Sequence, residues 1–287
     1  MTPYHMPQSF LLTYLFCVGA CVGSFLGVVI ARLPAGLSII SPRSRCDACK
    51  HPLRWYDNIP LMSYLMLRGK CRACGAHYGA RSVVVELLTA WLFVALGAHF
   101  GATWALGVWL VFVSGLIAIT FLDIDYFWVP DVITFPLMAL ALGAAWVPVG
   151  PTLKGALWGL GPAALLWLVA VVFKRLMGKE GLGFGDIKLL AALGLMMGLP
   201  AALTTLFLGS LQGAVAGSII LALGGHTQKP LPPLEGGAEP DAEGEEAWVP
   251  DPKAVPFGPF LILGALEVLF FPDFFARLFA RLVMLGA

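Results

Sequence analysis

The sequence predicts an all-α protein that crosses a membrane about eight times and carries a cysteine-rich loop on the cytoplasmic side. Three observations lead to this prediction. Of the 287 residues, 59% are hydrophobic and only 12% are charged, which is about half the charged fraction of a soluble globular domain. The apolar residues are gathered into runs of spanning length, and four cysteines form two pairs in the basic segment after the first run.

Eight apolar segments approach the roughly 20 residues that a spanning helix needs. They are residues 8–31, 82–100, 103–122, 131–149, 155–173, 184–199, 201–223 and 257–271. The sixth is the weakest, because about 16 helical residues rise only some 24 Å against a hydrocarbon core near 30 Å. We interpret the first as a retained spanning helix, since no small-residue cleavage site follows it. Cys17 and Cys21 lie within it and are interpreted as small core residues.

Charge predicts the orientation. Nine of the 18 Lys and Arg residues fall between Arg32 and Arg81, and basic residues in short loops mark the cytoplasmic side of a membrane protein. The segment that joins the first two predicted helices is therefore expected to be cytoplasmic. With eight crossings, the basic residues at 174–179 fall on the same side.

Four of the six cysteines form a pattern typical of a metal site. Cys46 and Cys49 make one C-x2-C pair, and Cys71 and Cys74 make a second, with 21 residues between the pairs. Each pair forms a tight turn that brings two thiolates to one ion, and four sulfurs around Zn²⁺ make a closed structural site. Two disulfides are the alternative, which a reducing cytoplasm disfavours. We therefore predict a cytoplasmic zinc ribbon with four cysteine ligands.

Aspartates at the ends of the apolar segments are the candidate catalytic groups. Asp123 closes the third predicted helix in FLDIDYFWVPD, and Asp186 opens the sixth in GLGFGDIKLL. Both fall at the predicted cytoplasmic boundary, so they can meet across a helical bundle. Acidic residues at membrane depth are costly and mark candidate functional sites. Two carboxylates within hydrogen-bond reach share a proton and can activate one water, which is the chemistry of an aspartic protease.

The same residues allow other interpretations. Acids at helix ends commonly cap helices or pair with nearby lysines, here Lys179 and Lys188, and intramembrane acids are equally common in ion pathways. Gly181, Gly183 and Gly185 would let the backbone bend and a peptide approach. A nucleotide-binding interpretation of these glycines fails because no strand precedes them. From the residues alone, catalysis and its alternatives stay open.

Together the motifs resemble those of the type IV prepilin peptidase family, bacterial inner-membrane enzymes that remove the leader from prepilins and pseudopilins and then N-methylate the new amino terminus. The resemblance covers nearly the whole chain. It rests on GSFLGVVIARLP, the two cysteine pairs flanking NIPLMSYLMLRGKC, VELLTA, DIDYFWVPD, GKEGLGFGDIKLLAALG and PFGPFL. The set is specific, although no single motif is.

The resemblance implies roles for individual residues. Asp123 and Asp186 match the catalytic pair of an aspartic endopeptidase, and Asp125 and Asp131 would support them. The four cysteines match a cytoplasmic zinc-binding loop of the methyltransferase half. Glu86 matches a glutamate that follows this loop and is a candidate for cofactor binding. S-adenosylmethionine is implied as the methyl donor by the resemblance alone.

The resemblance also implies an organisation. Residues 1–100 would form the methyltransferase half, with the first helix, the zinc loop and the second helix, and residues 101–287 would form the peptidase bundle. Residues 224–256 hold seven of the 17 acidic residues in a stretch rich in Gly and Pro, and are predicted to be a flexible loop inserted before PFGPFL.

The expected location is the bacterial inner membrane, with the zinc loop and the active site at the cytoplasmic face. The expected partners are prepilins or pseudopilins, membrane lipid and the proteins of a pilus or secretion assembly, with no nucleic acid.

One position departs from the family pattern. The first motif usually reads GSFLN, and here Gly27 takes the place of the Asn. If that amide contributes to methyl transfer, this chain is expected to methylate poorly.

Two other classes of function compete with the peptidase. An ion-coupled transporter would use the aspartates as a relay and the zinc ribbon as a regulatory domain, but transport sites usually lie near the bilayer midplane. A membrane scaffold would use the ribbon only to recruit partners. In a scaffold, substitution of the aspartates would leave leader processing intact.

Overall fold

The protein is described by a computed structural model, which covers residues 7–41, 43–46, 48–77, 79–146, 150–178, 183–222, 255–275 and 277–278. Within these residues all regular secondary structure is helical, and extended pairing is limited to two isolated bridges in the loop that follows the first helix. The predicted all-α fold is confirmed. The predicted flexible loop at 224–256 lies outside the described residues, apart from its last two.

Ten α-helices follow one another along the described chain. They are α1 (Gln8–Arg32), α2 (Met62–Leu67), α3 (Arg81–Phe100), α4 (Trp104–Tyr126), α5 (Asp131–Ala144), α6 (Leu153–Trp158), α7 (Gly161–Met177), α8 (Phe184–Met197), α9 (Leu199–Ala222) and α10 (Gly258–Phe270). Each of the eight predicted segments coincides with a helix, except that the fifth is broken into α6 and α7. The short helix α2, inside the cysteine loop, was not predicted.

Among the described residues, five helical stretches are long and apolar enough to cross a membrane. They are Gln8–Ala35, Arg81–Phe100, Trp104–Tyr126, Leu153–Met177 and Leu199–Ile220. Helices α5 and α10 are apolar but shorter, with 14 and 13 residues, and α8 has 14. The chain is therefore a multi-pass membrane protein, while the number of eight crossings stays a prediction.

The chain divides into two compact units, and the division falls inside α4 between Ala118 and Ile119. The first unit contains α1, the cysteine loop with α2, and α3. The second contains the end of α4 and all the later helices. The domain boundary that we predicted at residues 100 and 101 stays a prediction.

Glycines let α1 and α3 pack closely in the first unit. A Cβ on Gly19 would lie 2.7 Å from the Cα of Ala90, and one on Gly23 would lie 2.6 Å from the Cα of Glu86. Small residues of this kind allow helix backbones to approach within a membrane. Because this face of α1 meets α3, Cys17 and Cys21 are left exposed, and our interpretation of them as core residues was wrong.

Helix α8 is central to the second unit, where it contacts α5, α6, α7, α9 and α10. Eight of its 14 residues are buried. A Cβ on either Gly159 or Gly194 would collide with the carbonyl oxygen of the other glycine, so the turn between α6 and α7 lies directly against α8. A helix that is enclosed in this way is apolar on every side, and any charged residue at its end is held in a fixed place.

Candidate active site and metal centre

Asp123 lies in the last turn of α4 with only 4% of its surface exposed. The helix ends just beyond it, where Phe127 takes a φ of 51° and donates its N–H to the Asp123 carbonyl at 2.9 Å. The Oδ2 atom of Asp123 accepts a 3.0 Å hydrogen bond from the N–H of Gly258, the first residue of α10. The free N–H groups at a helix N-terminus favour a negative group. The start of α10 therefore orients the Asp123 carboxylate.

Gly258 leaves the space that the Asp123 carboxylate occupies. A Cβ at this position would lie 2.6 Å from Oδ2 of Asp123, closer than a carbon and an oxygen can approach. Proline in the first turn of a helix loses nothing by lacking an N–H, so the Pro259 that follows fits the start of α10. PFGPFL supports the family resemblance, but the resemblance alone does not single out Gly258. The Gly-Pro pair indicates the start of a helix, but it does not predict which side chain the N–H groups of that helix start contact.

Asp186 lies in the first turn of the central helix α8 and is half-buried. Its N–H donates to the carbonyl of Gly183 at 3.2 Å, which fixes the turn that leads into the helix. The carboxyls of Asp186 and Asp123 are close enough for their charges to interact. The structure therefore brings together the two aspartates that the sequence singled out.

The two described glycines before Asp186 make room for neighbouring atoms. A Cβ on Gly183 would lie 3.3 Å from Oδ2 of Asp186, and a Cβ on Gly185 would lie 2.9 Å from the Cβ of Val129. Neither glycine has the positive φ that other residues avoid. At Gly183 and Gly185 the structure thus shows close packing and no left-handed backbone, while the approach of a peptide to these glycines stays a prediction. Gly181 lies outside the described residues.

Val129 was not singled out from the sequence, yet it connects the two aspartates. It is buried in the segment that follows α4, six residues after Asp123. Its side chain packs against Gly185, the residue before Asp186. The segment that follows α4 therefore packs directly against the start of α8, and glycine at position 185 leaves the space for this contact.

Lys188 forms its ion pair with Asp131, at the start of α5. Residues two apart on a helix point in different directions, so Lys188 extends to α5 and away from the side of α8 that carries the Asp186 carboxyl. The alternative in which Lys188 neutralises Asp186 is not the arrangement in the structure. Lys179, the other lysine considered, lies outside the described residues. Asp125 is half-buried in α4, and its supporting role stays a prediction.

The four predicted metal ligands are gathered at one point in the loop. The Sγ atoms of Cys46, Cys49, Cys71 and Cys74 all lie within 4.8 Å of one another, with 3.8 Å between Cys46 and Cys74 and 4.0 Å between Cys49 and Cys71. Sulfurs placed about 2.3 Å from zinc at the corners of a tetrahedron are roughly 3.8 Å apart. All four residues are free cysteines, so the disulfide alternative is not the state in the structure. The cluster can bind a metal.

The two cysteine pairs repeat one backbone turn. In each, the N–H of the first cysteine donates to the carbonyl five residues later, at 3.0 Å for Cys46 and 2.7 Å for Cys71. The residue after the second cysteine has a positive φ, 58° at Lys50 and 73° at Gly75. Two equivalent turns that present two thiols each are the arrangement expected of a ribbon around one ion.

Glu86 lies on α3 and is buried, with 7% of its surface exposed. Its Oε2 accepts a 2.8 Å hydrogen bond from the N–H of Leu61, which lies in the loop between the cysteine pairs. The structure thus shows Glu86 joining α3 to the loop, and its contact with a cofactor stays a prediction. Gly27, on α1, has open space where a Cβ would be.

Two family models match the chain. The bacterial peptidase A24 N-terminal domain matches residues 17–100, and the type IV leader peptidase family matches residues 110–218. The first match therefore contains the cysteine loop and Glu86, and the second contains Asp123 and Asp186.

Several curated relatives carry the name prepilin leader peptidase/N-methyltransferase. The protein of Myxococcus xanthus (strain DK1622) is 37% identical, over 92% of this chain and 91% of its own length. The protein of Pseudomonas aeruginosa is 36% identical, over 96% and 95%, and that of Klebsiella pneumoniae is 39% identical, over 69% and 90%. No solved structure matches the chain. The resemblance seen in the motifs is confirmed, and the chain belongs to the type IV leader peptidase family.

Proposed function

We propose that this protein is a membrane aspartic endopeptidase that removes the leader peptide of type IV prepilins or type II secretion pseudopilins and then N-methylates the new amino terminus. One observation carries the peptidase part: Asp123, held by the N–H of Gly258, interacts with Asp186 on the central helix α8. The name of the relatives supports the substrate class and the second activity.

Asp123 and Asp186 would act as an acid and a base around one water. Two carboxyls that approach within hydrogen-bond reach share one proton. The unprotonated carboxylate takes a proton from water as the water oxygen attacks the scissile carbonyl carbon, and the protonated partner hydrogen-bonds the carbonyl oxygen. As the C–N bond breaks, the proton passes to the leaving amine. Water adds directly, so no covalent enzyme intermediate forms.

The hydrogen bond from Gly258 has a defined part in this chemistry. It occupies Oδ2 of Asp123 and leaves Oδ1 for the shared proton or the water. Because the donor is a backbone N–H at the start of a helix, the carboxylate is oriented before substrate arrives. Groups that are already in place contribute to catalysis without the cost of reorganisation.

The active site would face the cytoplasm. The loop that joins α1 and α3 lies within the segment that holds nine of the 18 basic residues, and this charge supports a cytoplasmic position for the end of α1 and the start of α3. If α3 crosses outward and α4 crosses back, the end of α4 that carries Asp123 returns to the same side. We therefore propose the bacterial inner membrane as the location, with the leader of the substrate on the cytoplasmic side.

We propose zinc as the ion of the cysteine cluster, because the sulfur spacing matches a tetrahedral zinc site. Four thiolates leave no open position, so the ion would organise the loop and take no part in the chemistry. The name of the relatives implies a methyl donor; we propose S-adenosylmethionine, which the family resemblance implies and which when bound supplies the methyl group. Glu86, which the resemblance linked to this cofactor, already accepts the N–H of Leu61 with one oxygen.

The further partners that we propose are the surrounding lipid and the pilus or secretion assembly that receives the product. The transporter alternative has no support. Asp123 lies in the last turn of α4 and Asp186 in the first turn of α8, and the relatives are named as peptidases.

The purified full chain, incubated with a prepilin and S-adenosylmethionine, tests both activities in one mass spectrum. The expected product has lost its leader and gained one methyl group. Omission of S-adenosylmethionine should give the shortened product without the methyl group. An intact precursor would contradict the peptidase activity, and a product that is cleaved but never methylated would contradict the second activity alone.

A further inference from the structure

Leu61 is the centre of a strained turn in the cysteine loop. Its φ and ψ are 61° and −48°, and the N–H of Met62 donates to the carbonyl of Pro60 at 2.6 Å. This is a γ-turn of the rare kind with positive φ, a conformation that a leucine disfavours. Strained backbone of this type persists only where surrounding contacts hold it.

The contact that holds the turn comes from Glu86. Its Oε2 accepts the Leu61 N–H at 2.8 Å, and Glu86 is buried, where a hydrogen bond is stronger than it is in water. The backbone of Glu86 is itself fixed, because Gly23 of α1 lies against its Cα with no room for a Cβ. Glu86 is therefore a rigid acceptor at the start of α3.

A series of backbone hydrogen bonds links Leu61 to the second cysteine pair. The N–H of Leu65 donates to the carbonyl of Leu61 at 3.1 Å within α2, and the N–H groups of Gly69 and Lys70 donate to carbonyls of α2 at 3.0 Å each. Cys71 follows directly. Cys71 is thus ten residues after Leu61, and backbone hydrogen bonds order the chain between them.

We propose that Glu86 is a positioning residue for methyl transfer, whose carboxylate fixes the Leu61 turn and through it the second cysteine pair relative to α3. The inference rests on the proposed methyltransferase activity and on the predicted assignment of that activity to residues 1–100, which contain the cysteine loop and Glu86. Glu86 acts through the loop, and a direct contact with the methyl donor is not part of its role. What the loop needs from position 86 is a hydrogen-bond acceptor, and a negative charge is not required.

Two variants separate these roles. Glu86→Gln keeps an oxygen that can accept the Leu61 N–H, whereas Glu86→Ala removes it. Thr89→Ala is the matched control, because Thr89 is also buried on α3 but its hydroxyl donates to the carbonyl of Val85 in the same helix. Each full-length variant is measured for methyl incorporation, for leader cleavage and for hydrogen exchange of the Leu61 amide.

In Glu86→Ala, exchange at Leu61 should rise about tenfold, the factor that corresponds to losing one net hydrogen bond, and a chelator should remove the metal faster. Methyl incorporation should fall by a similar factor or more, with a smaller fall in leader cleavage. Glu86→Gln and Thr89→Ala should stay within about threefold of the unmodified protein in all measurements.

Two results would overturn the proposal. One is unchanged exchange at Leu61 in Glu86→Ala. The other is Glu86→Gln losing methyl incorporation while the Leu61 amide stays protected, which would assign Glu86 to a role that needs its charge. If Glu86→Ala does not accumulate, Glu86→Gln still decides between acceptor and charge. If the unmodified protein does not methylate at all, the proposed function fails, whereas the exchange contrast still tests the contact.

Discussion

The N–H of Gly258 donates a 3.0 Å hydrogen bond to Oδ2 of Asp123, across 135 residues of sequence. The bond joins the first residue of α10 to the last turn of α4. Asp123 is therefore not a free acid at a helix end but a carboxylate held by the N-terminus of another helix. Under the proposed mechanism, PFGPFL is part of the active site because it sets the direction of one catalytic carboxyl.

Gly258→Ala should lower leader cleavage by roughly a hundredfold. The new Cβ would lie 2.6 Å from Oδ2 of Asp123, so the carboxylate must move, and a displacement of about 1 Å at a catalytic group costs on the order of 10² in rate. Alanine favours helix more than glycine does, so any loss arises from the collision. The measurement is kcat/KM for cleavage of a prepilin.

Gly143→Ala is the matched control for this prediction. Gly143 lies in α5 of the same unit, and an added Cβ would meet nothing within 4 Å. The Gly143→Ala variant should cleave a prepilin at the rate of the unmodified protein. Full cleavage by Gly258→Ala would show that the Gly258 contact does not orient the catalytic group.

Gly185→Ala should also reduce cleavage, by about tenfold, because its Cβ would lie 2.9 Å from the Cβ of Val129 and overpacking of this kind shifts the backbone. Replacing Val129 by glycine in the same chain removes the atom that collides. The double variant should therefore recover part of the loss, as a double-mutant cycle would show. If the loss of cleavage in the double variant is the product of the losses in the two single variants, the contact with Val129 is not the reason that Gly185→Ala affects cleavage.

The end of α4 and the start of α8 could be predicted from the sequence because apolar runs and the acids that bound them are local signals. Asp123 and Asp186 were found in this way. Their partners could not be found, since the contacts of Gly258 and Val129 depend on how distant helices pack. The hydropathy of a segment indicates that it is buried, but it does not indicate which other helix packs against it.

The ion-pair partner of Lys188 could not be predicted from the sequence either. The sequence offered several acids as partners and gave no means of choosing between them. In the structure the direction of the side chain on α8 selects Asp131. Helix α2 was missed for a different reason: it has six residues and none of them is buried, so it leaves no pattern of apolar positions.

The protein should contain close to one zinc per chain, measured by elemental analysis of the purified protein. Cys71→Ser removes one of four thiolates and should release the metal faster to a chelator, because structural zinc contributes directly to the folding of its loop. Cys17→Ser is the control, since this cysteine is exposed on α1 and outside the cluster, and it should retain the metal normally. Absence of zinc together with two intact disulfides would contradict both the metal and the cytoplasmic location of the loop.

Gly27→Asn should raise methyl incorporation and leave leader cleavage unchanged. The family motif usually carries Asn at this position, and a side chain can be added here without collision because nothing lies within 4 Å of a Cβ on Gly27. Gly27→Ala fills the same place without the amide and serves as the control. Equal methylation by the Asn and Ala variants and the unmodified protein would show that this amide has no part in methyl transfer.

Cleavage of a prepilin by Asp123→Asn and Asp186→Asn tests the proposed catalytic pair most directly. Asparagine at 123 can still accept the Gly258 N–H, so the packing is retained while the shared proton is lost. Asp273→Asn is the control, because this aspartate is exposed, lies beyond the end of α10 and has no role in the proposed site. Either catalytic variant should accumulate in the membrane and lose cleavage by roughly a thousandfold or more, while Asp273→Asn stays near the unmodified rate. Substantial cleavage by either Asp123→Asn or Asp186→Asn would contradict the assignment. If Asp123→Asn is active and Asp125→Asn is inactive, Asp125 is the catalytic aspartate of this segment and the choice of Asp123 is wrong.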